Sequence, residues 1–450
     1  MFIFFEIKNN IKKSDLFLLW KRKLKSYICR WNIFYLLIYM MYKISYSPNL
    51  KGEVQISGSK NAALPIVAAN YILDNKVKLL NKPNIKDVAV IEELAVEALA
   101  NSKDFFDLTS EKATKIRSSI LLIPLGLIKY WKVKFIGSGG CAIGKRPLDM
   151  FDDALVKAGI TITNDEFKTF EVTWKPKKNI MLQWFSVTAV ESLITYLAFA
   201  NNFDYEINIY QVAIEPHVRN LIEFLNNAWA DITLNVDHTL VVRPSKLQIK
   251  ESEFSIIADY IEAGTYFAIG AWAENSEITI KGCHVDELSA IYSVADRIGI
   301  NFKIIDKHTI QVNSFNKKNY QAVKIETRIY PGFPTDLQSI FGTLVTQCNG
   351  ISKIFETLYE GRFAYLNELE NLGAKIEILN PYQAIVVWPT NLKWNYVSSR
   401  DLRCGGAMML AWVMAKWTTY VMNEDIIARW YDDIENKLKN IGVSVEKIED

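Results

Sequence analysis

A repeat constrains this chain more than any other feature. The segments LVKAG, LNNAW, ADRIG, LENLG and LKNIG set Leu155, Leu225, Ala295, Leu369 and Leu438 four residues before Gly159, Trp229, Gly299, Gly373 and Gly442. These final positions recur at intervals of 70, 70, 74 and 69 residues. Each follows an amphipathic helical pattern and precedes a β-rich run such as ITITN or AKIEI, where glycine takes the left-handed turn that closes a helix. A looser copy spans Val88 to Leu99, which makes six βα units. Alternating strands and helices predict an α/β fold of helix-covered sheets. Three units per domain predict two similar halves with a cleft between them, a common place for ligands.

Trp229 breaks the pattern, because a bulky side chain makes a left-handed helix end costly. Trp131, Trp174, Trp394 and Trp417 also stand in turn-like places between polar residues, where glycine is the ordinary choice. We read several of the twelve tryptophans as glycines in the organism, produced by translating a UGA codon that there means glycine.

The chain has 450 residues, half of them apolar, enough for two large cores. A net charge of +2 offers no bulk field for nucleic acid, so any basic site must be local. Cys29, Cys141, Cys283, Cys348 and Cys404 are scattered without a CxxC pair, which argues for a reducing compartment and against structural zinc. His217, His238, His284 and His308 are far apart in sequence and suggest no metal site. Residues 1–44 read as an extension: a lysine-rich stretch at Lys21–Lys25 precedes the apolar run Ile33–Tyr42, too short to span a bilayer. The folded pattern is expected to begin near Ser45, and a mis-assigned start codon, with Met40 or Met41 as the true start, is the expected origin of the extension.

Three motifs carry chemistry. GSGGCAIGKRPLDM, residues 137–150, surrounds Cys141 with glycines and follows it with Lys145 and Arg146, cations that favour a thiolate. ISGSKNAALPI, residues 56–66, delivers Lys60 and Asn61 to a helix start, a setting for phosphate or carboxylate. GFPTDLQ, residues 332–338, puts Asp336 at another helix start, where capping is the plain alternative role. Arg117, Arg362, Arg403 and Arg429 fall near strand-to-helix junctions of different units and would converge on a small anion if those junctions met.

From about Ser45 onward, SGSKNAALP, GGCAIGKRP, FPTDLQ and the DLR of residues 401–403 resemble the blocks of the enolpyruvyl transferases in type and order. The resemblance implies a two-domain inverted α/β barrel with its active site in the inter-domain cleft. One lobe would span 60–257 and the other 45–59 plus 258–450. It implies transfer of an enolpyruvyl group from phosphoenolpyruvate to the 3-hydroxyl of UDP-N-acetylglucosamine, in the cytoplasm, without metal, organic cofactor, nucleic acid or membrane partner. Lys60, Asn61, Arg146, Arg403 and Arg429 would hold the donor, with Lys60 also catalytic; Cys141 would be the general acid and Asp336 the base. Arg117, Arg146, Pro147, Leu148, Asp149, Met150, Ser186, Val187, Asp336 and Leu358 would line the nucleotide-sugar site. Phe151, Trp184, Thr188, Trp412 and Trp430 depart from the family pattern, which leaves sugar binding least secured. A 3-phosphoshikimate acceptor, or a catalytically silent nucleotide-sugar binder, remains the alternative.

Overall fold

The computed structural model describes residues 41–139, 148–246, 248–387, 392, 396–398, 402–414, 418–422 and 427–448. The Cys141–Pro147 stretch, Trp394 and Trp417 therefore lie outside the described residues. So do the side chains of Arg403 and Trp412, although both belong to the helix Leu402–Met414.

Among the described residues, five four-stranded sheets repeat one topology. In the first, Phe106–Leu108 runs parallel to Lys132–Phe135, which pairs antiparallel with Lys168–Val172, which pairs antiparallel with Ile160–Asn164. The others are built alike, and the short parallel pair Lys78–Leu80 and Glu253–Ser255 stands in the sixth position. Strands such as Glu277–Lys281 bury alternate residues, Ile278 and Ile280, and turn the rest toward solvent, as period-two pleating requires.

Each unit also supplies one helix apolar on nearly every side. Lys60–Ile72, Ile123–Tyr130 and Val187–Phe199 pack together in one lobe, and Tyr260–Trp272, Thr335–Leu344 and Leu402–Met414 in the other. A helix without a polar face is stable only when surrounded, so these helices sit inside and the sheets outside. That is the inverted arrangement. One apolar core runs from Ala62 to Ile256; the other joins Tyr42–Ile56 to Ala258–Val445.

The extension expected through residue 44 is shorter in the fold. Met41–Ser45 is the third strand of the sheet formed by Tyr396–Ser398, Thr419–Met422 and Ser444–Ile448. Tyr42 and Ile44 point into the core, so the end of the apolar run is a core strand.

All five repeat positions are left-handed: φ is +92° at Gly159, +62° at Trp229, +90° at Gly299, +98° at Gly373 and +91° at Gly442. Trp131, capping Ile123–Tyr130, has φ +63°. Both tryptophans are exposed, Trp131 at 52% and Trp229 at 43%, so neither is a core residue whose full burial would offset the backbone cost.

Candidate active site

The chain crosses between the lobes twice, and the crossings lie side by side. Ser59 N–H donates to the Ile257 carbonyl at 2.7 Å, and Asp259 N–H to that of Ser57 at 2.9 Å. Glycine is needed at position 58, where a Cβ would stand 1.9 Å from the Asn81 carbonyl oxygen. Just past the crossings, one inner helix starts at Lys60 and another at Tyr260, capped by Asp259 through the Ile261 and Glu262 amides. A cavity of about 260 Å³ opens between the lobes at these helix starts.

Asp87 organises its cationic end. Lys60 Nζ lies 2.6 Å from Asp87 Oδ2, and Arg429 Nε donates to Oδ1 at 2.7 Å. Burial alone would raise the Asp87 carboxyl, but the Lys60 and Arg429 charges outweigh it and hold it below its usual value. Lys60 Nζ also sits 4.6 Å from the centre of the Trp430 ring. Arg117 lines the same cavity. Lys60, Arg117 and Arg429 give the cavity, which the carboxyl groups of Asp87, Glu191, Glu215 and Asp336 also line, the cations that an anionic ligand needs.

Asp336 marks the opposite chemistry. Pro334 is the N-cap of Thr335–Leu344, so Asp336 stands in the first turn of the helix and not at the cap position itself. It accepts from Arg362 Nη2 at 2.8 Å, with side-chain exposures of 13% and 3%. The neighbouring loop is tied down by Glu356, which accepts from Thr335 Oγ1 at 2.8 Å and from the Leu358 N–H at 2.9 Å. That places Leu358 on the cavity wall.

Of the residues singled out from sequence, Lys60, Asn61, Arg117, Val187, Asp336, Leu358 and Arg429 line this one cavity, joined by Thr188, Arg362 and Trp430. Leu148, Asp149, Met150 and Ser186 are not among the residues lining it. Asp149 and Met150 begin the helix Asp149–Lys157, and the Ser186 hydroxyl caps Val187–Phe199 by accepting from Ala189 N–H. Phe151 is buried edge-on against Phe170, a core role, and Trp184 is half-exposed outside the cavity.

Sequence reasoning missed Asp87, Glu191, Glu215, His217, Tyr260 and Tyr330, which also line the cavity. Only Asp87, one residue past the start of the helix Lys86–Asn101, had a local cue. Burial raises the Glu215 carboxyl to about 7 and drives Glu191 well above its usual value. Elsewhere, burial lifts the Cys283 and Cys348 thiols to about 11 and about 12, which leaves them inert near neutral pH. His284 and His308, distant in sequence, meet edge to face at 5.2 Å, yet no metal-ligand cluster occurs among the described residues.

Two helix-centred lobes closing on this cation-rich cavity define an enolpyruvyl-transferase architecture, and the chain belongs to the EPSP synthase family. The family profile described as EPSP synthase (3-phosphoshikimate 1-carboxyvinyltransferase) matches residues 44–438. Within the family, the chain is 34% identical over 424 residues to the UDP-N-acetylglucosamine 1-carboxyvinyltransferase of Campylobacter hominis, covering 90% of this chain and 98% of that one. It is 33% identical to the enzyme of the same name from Sulfurimonas denitrificans, covering 91% and 99%. In fold it resembles the enolpyruvyl transferase NikO from Streptomyces tendae, with a TM-score of 0.76, 19% identity and coverage of 91% and 99%. EPSP synthase from Acinetobacter baumannii gives 0.67 at 10% identity, covering 91% and 100%.

Proposed function

We propose that this chain transfers the enolpyruvyl group of phosphoenolpyruvate to the 3-hydroxyl of UDP-N-acetylglucosamine, releasing phosphate, in cytoplasmic synthesis of peptidoglycan precursors. One observation carries the reading: Lys60, Arg117 and Arg429 stand in the same inter-lobe cavity as Asp336. Cations bind a multiply charged donor and a carboxylate activates a hydroxyl, so a single cavity holds both halves of the chemistry. The names of the relatives at 33–34% identity support this acceptor over 3-phosphoshikimate.

Lys60 and Arg429, pre-oriented by Asp87, hold the phosphate and carboxylate of the donor. Asp336 takes the proton of the sugar hydroxyl as its oxygen adds to the enol carbon, and a proton is delivered to the methylene carbon to give a tetrahedral ketal. Loss of a proton from that carbon and departure of phosphate restore the double bond in the product ether. Family resemblance assigns the methylene proton to Cys141 and further donor contacts to Arg146 and Arg403. Closure of the lobes excludes water from the ketal. No helix among the described residues is long and apolar enough to cross a membrane.

The test is phosphate release from phosphoenolpyruvate with UDP-N-acetylglucosamine or with shikimate 3-phosphate as acceptor. Release with the nucleotide sugar is expected. Preference for the shikimate overturns the acceptor, and no release from either the chain or its Trp430→Gly variant favours a silent binder.

A further inference from the structure

His217 is the second residue of the helix Pro216–Asn227, is 4% exposed and lines the cavity. No described protein group hydrogen-bonds either of its ring nitrogens. Two of the other three histidines are paired: His238 Nδ1 with the Val212 carbonyl at 3.0 Å and His308 Nδ1 with that of Cys283 at 3.3 Å. Buried polar atoms are rarely left unpaired, and one that faces a cavity is paired by whatever fills it.

The charges around the ring say what kind of group that is. Burial is the main influence on the imidazole and pushes it down to about 4; the Asp336 carboxylate from the other lobe pulls upward and Arg219 on its own helix pushes down. Glu215, two residues earlier, also lines the cavity. The ring is therefore neutral and presents one N–H donor and one acceptor. Lys60, Arg117 and Arg429 already serve anions. A neutral donor–acceptor pair near Asp336 suits an uncharged hydroxyl or amide.

We propose that His217 hydrogen-bonds the uncharged sugar of the acceptor and holds its reacting hydroxyl against Asp336, as a specificity-determining contact contributed by the first lobe. This rests on the acceptor reading above. It assigns a role to a residue that sequence patterning treats as isolated.

Two measurements on the full chain test it. In steady-state kinetics, His217→Phe raises the acceptor KM about 10- to 100-fold, the range for losing a hydrogen-bonding group at a polar contact, and leaves the donor KM within about twofold. His217→Gln, which keeps a donor and an acceptor, recovers most of the loss. In 15N-histidine NMR, the His217 ring resonances move on adding UDP-N-acetylglucosamine, in the intact protein and without turnover. Equal damage to both KM values, or ring resonances that stay fixed at saturating nucleotide sugar, overturns the proposal. An unmodified chain that releases no phosphate but shows the ring shift contradicts the catalytic reading and leaves this contact standing.

Discussion

Arg429 of one lobe grips the carboxylate of Asp87 in the other, with Nε 2.7 Å from Oδ1 and Nη2 3.3 Å from Oδ2. Lys60 completes the cluster from the crossing between the lobes. The lobes thus meet through the side chains that would bind the donor, which couples closure to the charge state of the site.

Asp87→Asn removes the carboxylate that pairs with both Lys60 and Arg429. Breaking a buried pair by removing one partner costs about 3–5 kcal/mol. A lower Tm and a raised KM for phosphoenolpyruvate are expected, both visible in thermal melts and steady-state kinetics. Unchanged values would mean that the cluster is incidental.

Asp336→Asn keeps the shape of the side chain and removes its basicity. A loss of about 10²- to 10⁴-fold in kcat is expected, the usual scale for general-base catalysis. Binding of UDP-N-acetylglucosamine by calorimetry changes far less. A variant retaining near-normal kcat removes Asp336 as the base.

Cys141→Ala abolishes or strongly slows turnover near neutral pH, because the loop would lose its acid. Single-turnover phosphate release measures this directly, and an unaffected rate takes the thiol out of the mechanism.

Trp131→Gly and Trp229→Gly each relieve a left-handed backbone that costs a side-chain-bearing residue about 1–2 kcal/mol. Both variants melt higher. Trp430→Gly acts differently: Trp430 is 8% exposed and lines the cavity, so its removal enlarges the site and frees Lys60 from the ring. The codons offer an independent check, since UGG at positions 229, 417 and 430 excludes recoding.

Burial raises two carboxyls, Glu215 on the cavity wall to about 7 and the helix cap Asp259 to about 6. Each binds its proton more tightly folded than unfolded, where a carboxyl titrates near about 4. Their stabilisation is complete below that value and is lost as pH rises through about 6 to 7. Tm therefore falls between about pH 4 and 7 and levels off above, and Glu215→Gln flattens the slope. Asp87 works in the opposite sense, with stability present above the ordinary carboxylate range and lost as pH falls through its lowered value. A Tm that Glu215→Gln leaves with an unchanged slope between about pH 4 and 7 would contradict the assignment of Glu215.

What local sequence determined is what a few neighbouring residues can decide. The left-handed helix ends at Gly159, Gly299, Gly373 and Gly442 come from one residue's backbone freedom, and even Trp229 was forced into that conformation by the unit around it. Lys60 and Asp336 were legible because a glycine or proline turn followed by a helix start is local chemistry. The inward face of Met41–Ser45 was not, since an apolar run becomes a core strand only when Thr419–Met422 and Ser444–Ile448 flank it.

Tertiary structure alone decided the site. Asp87 and Arg429 are 342 residues apart, and neither has a neighbour in sequence that announces the other. His217 is an unremarkable helix residue until the second lobe brings Asp336 close to it. Backbone preference acts over one helical turn, whereas charge pairing and desolvation depend on distance in space, and only the folding of two lobes onto one cavity sets those distances.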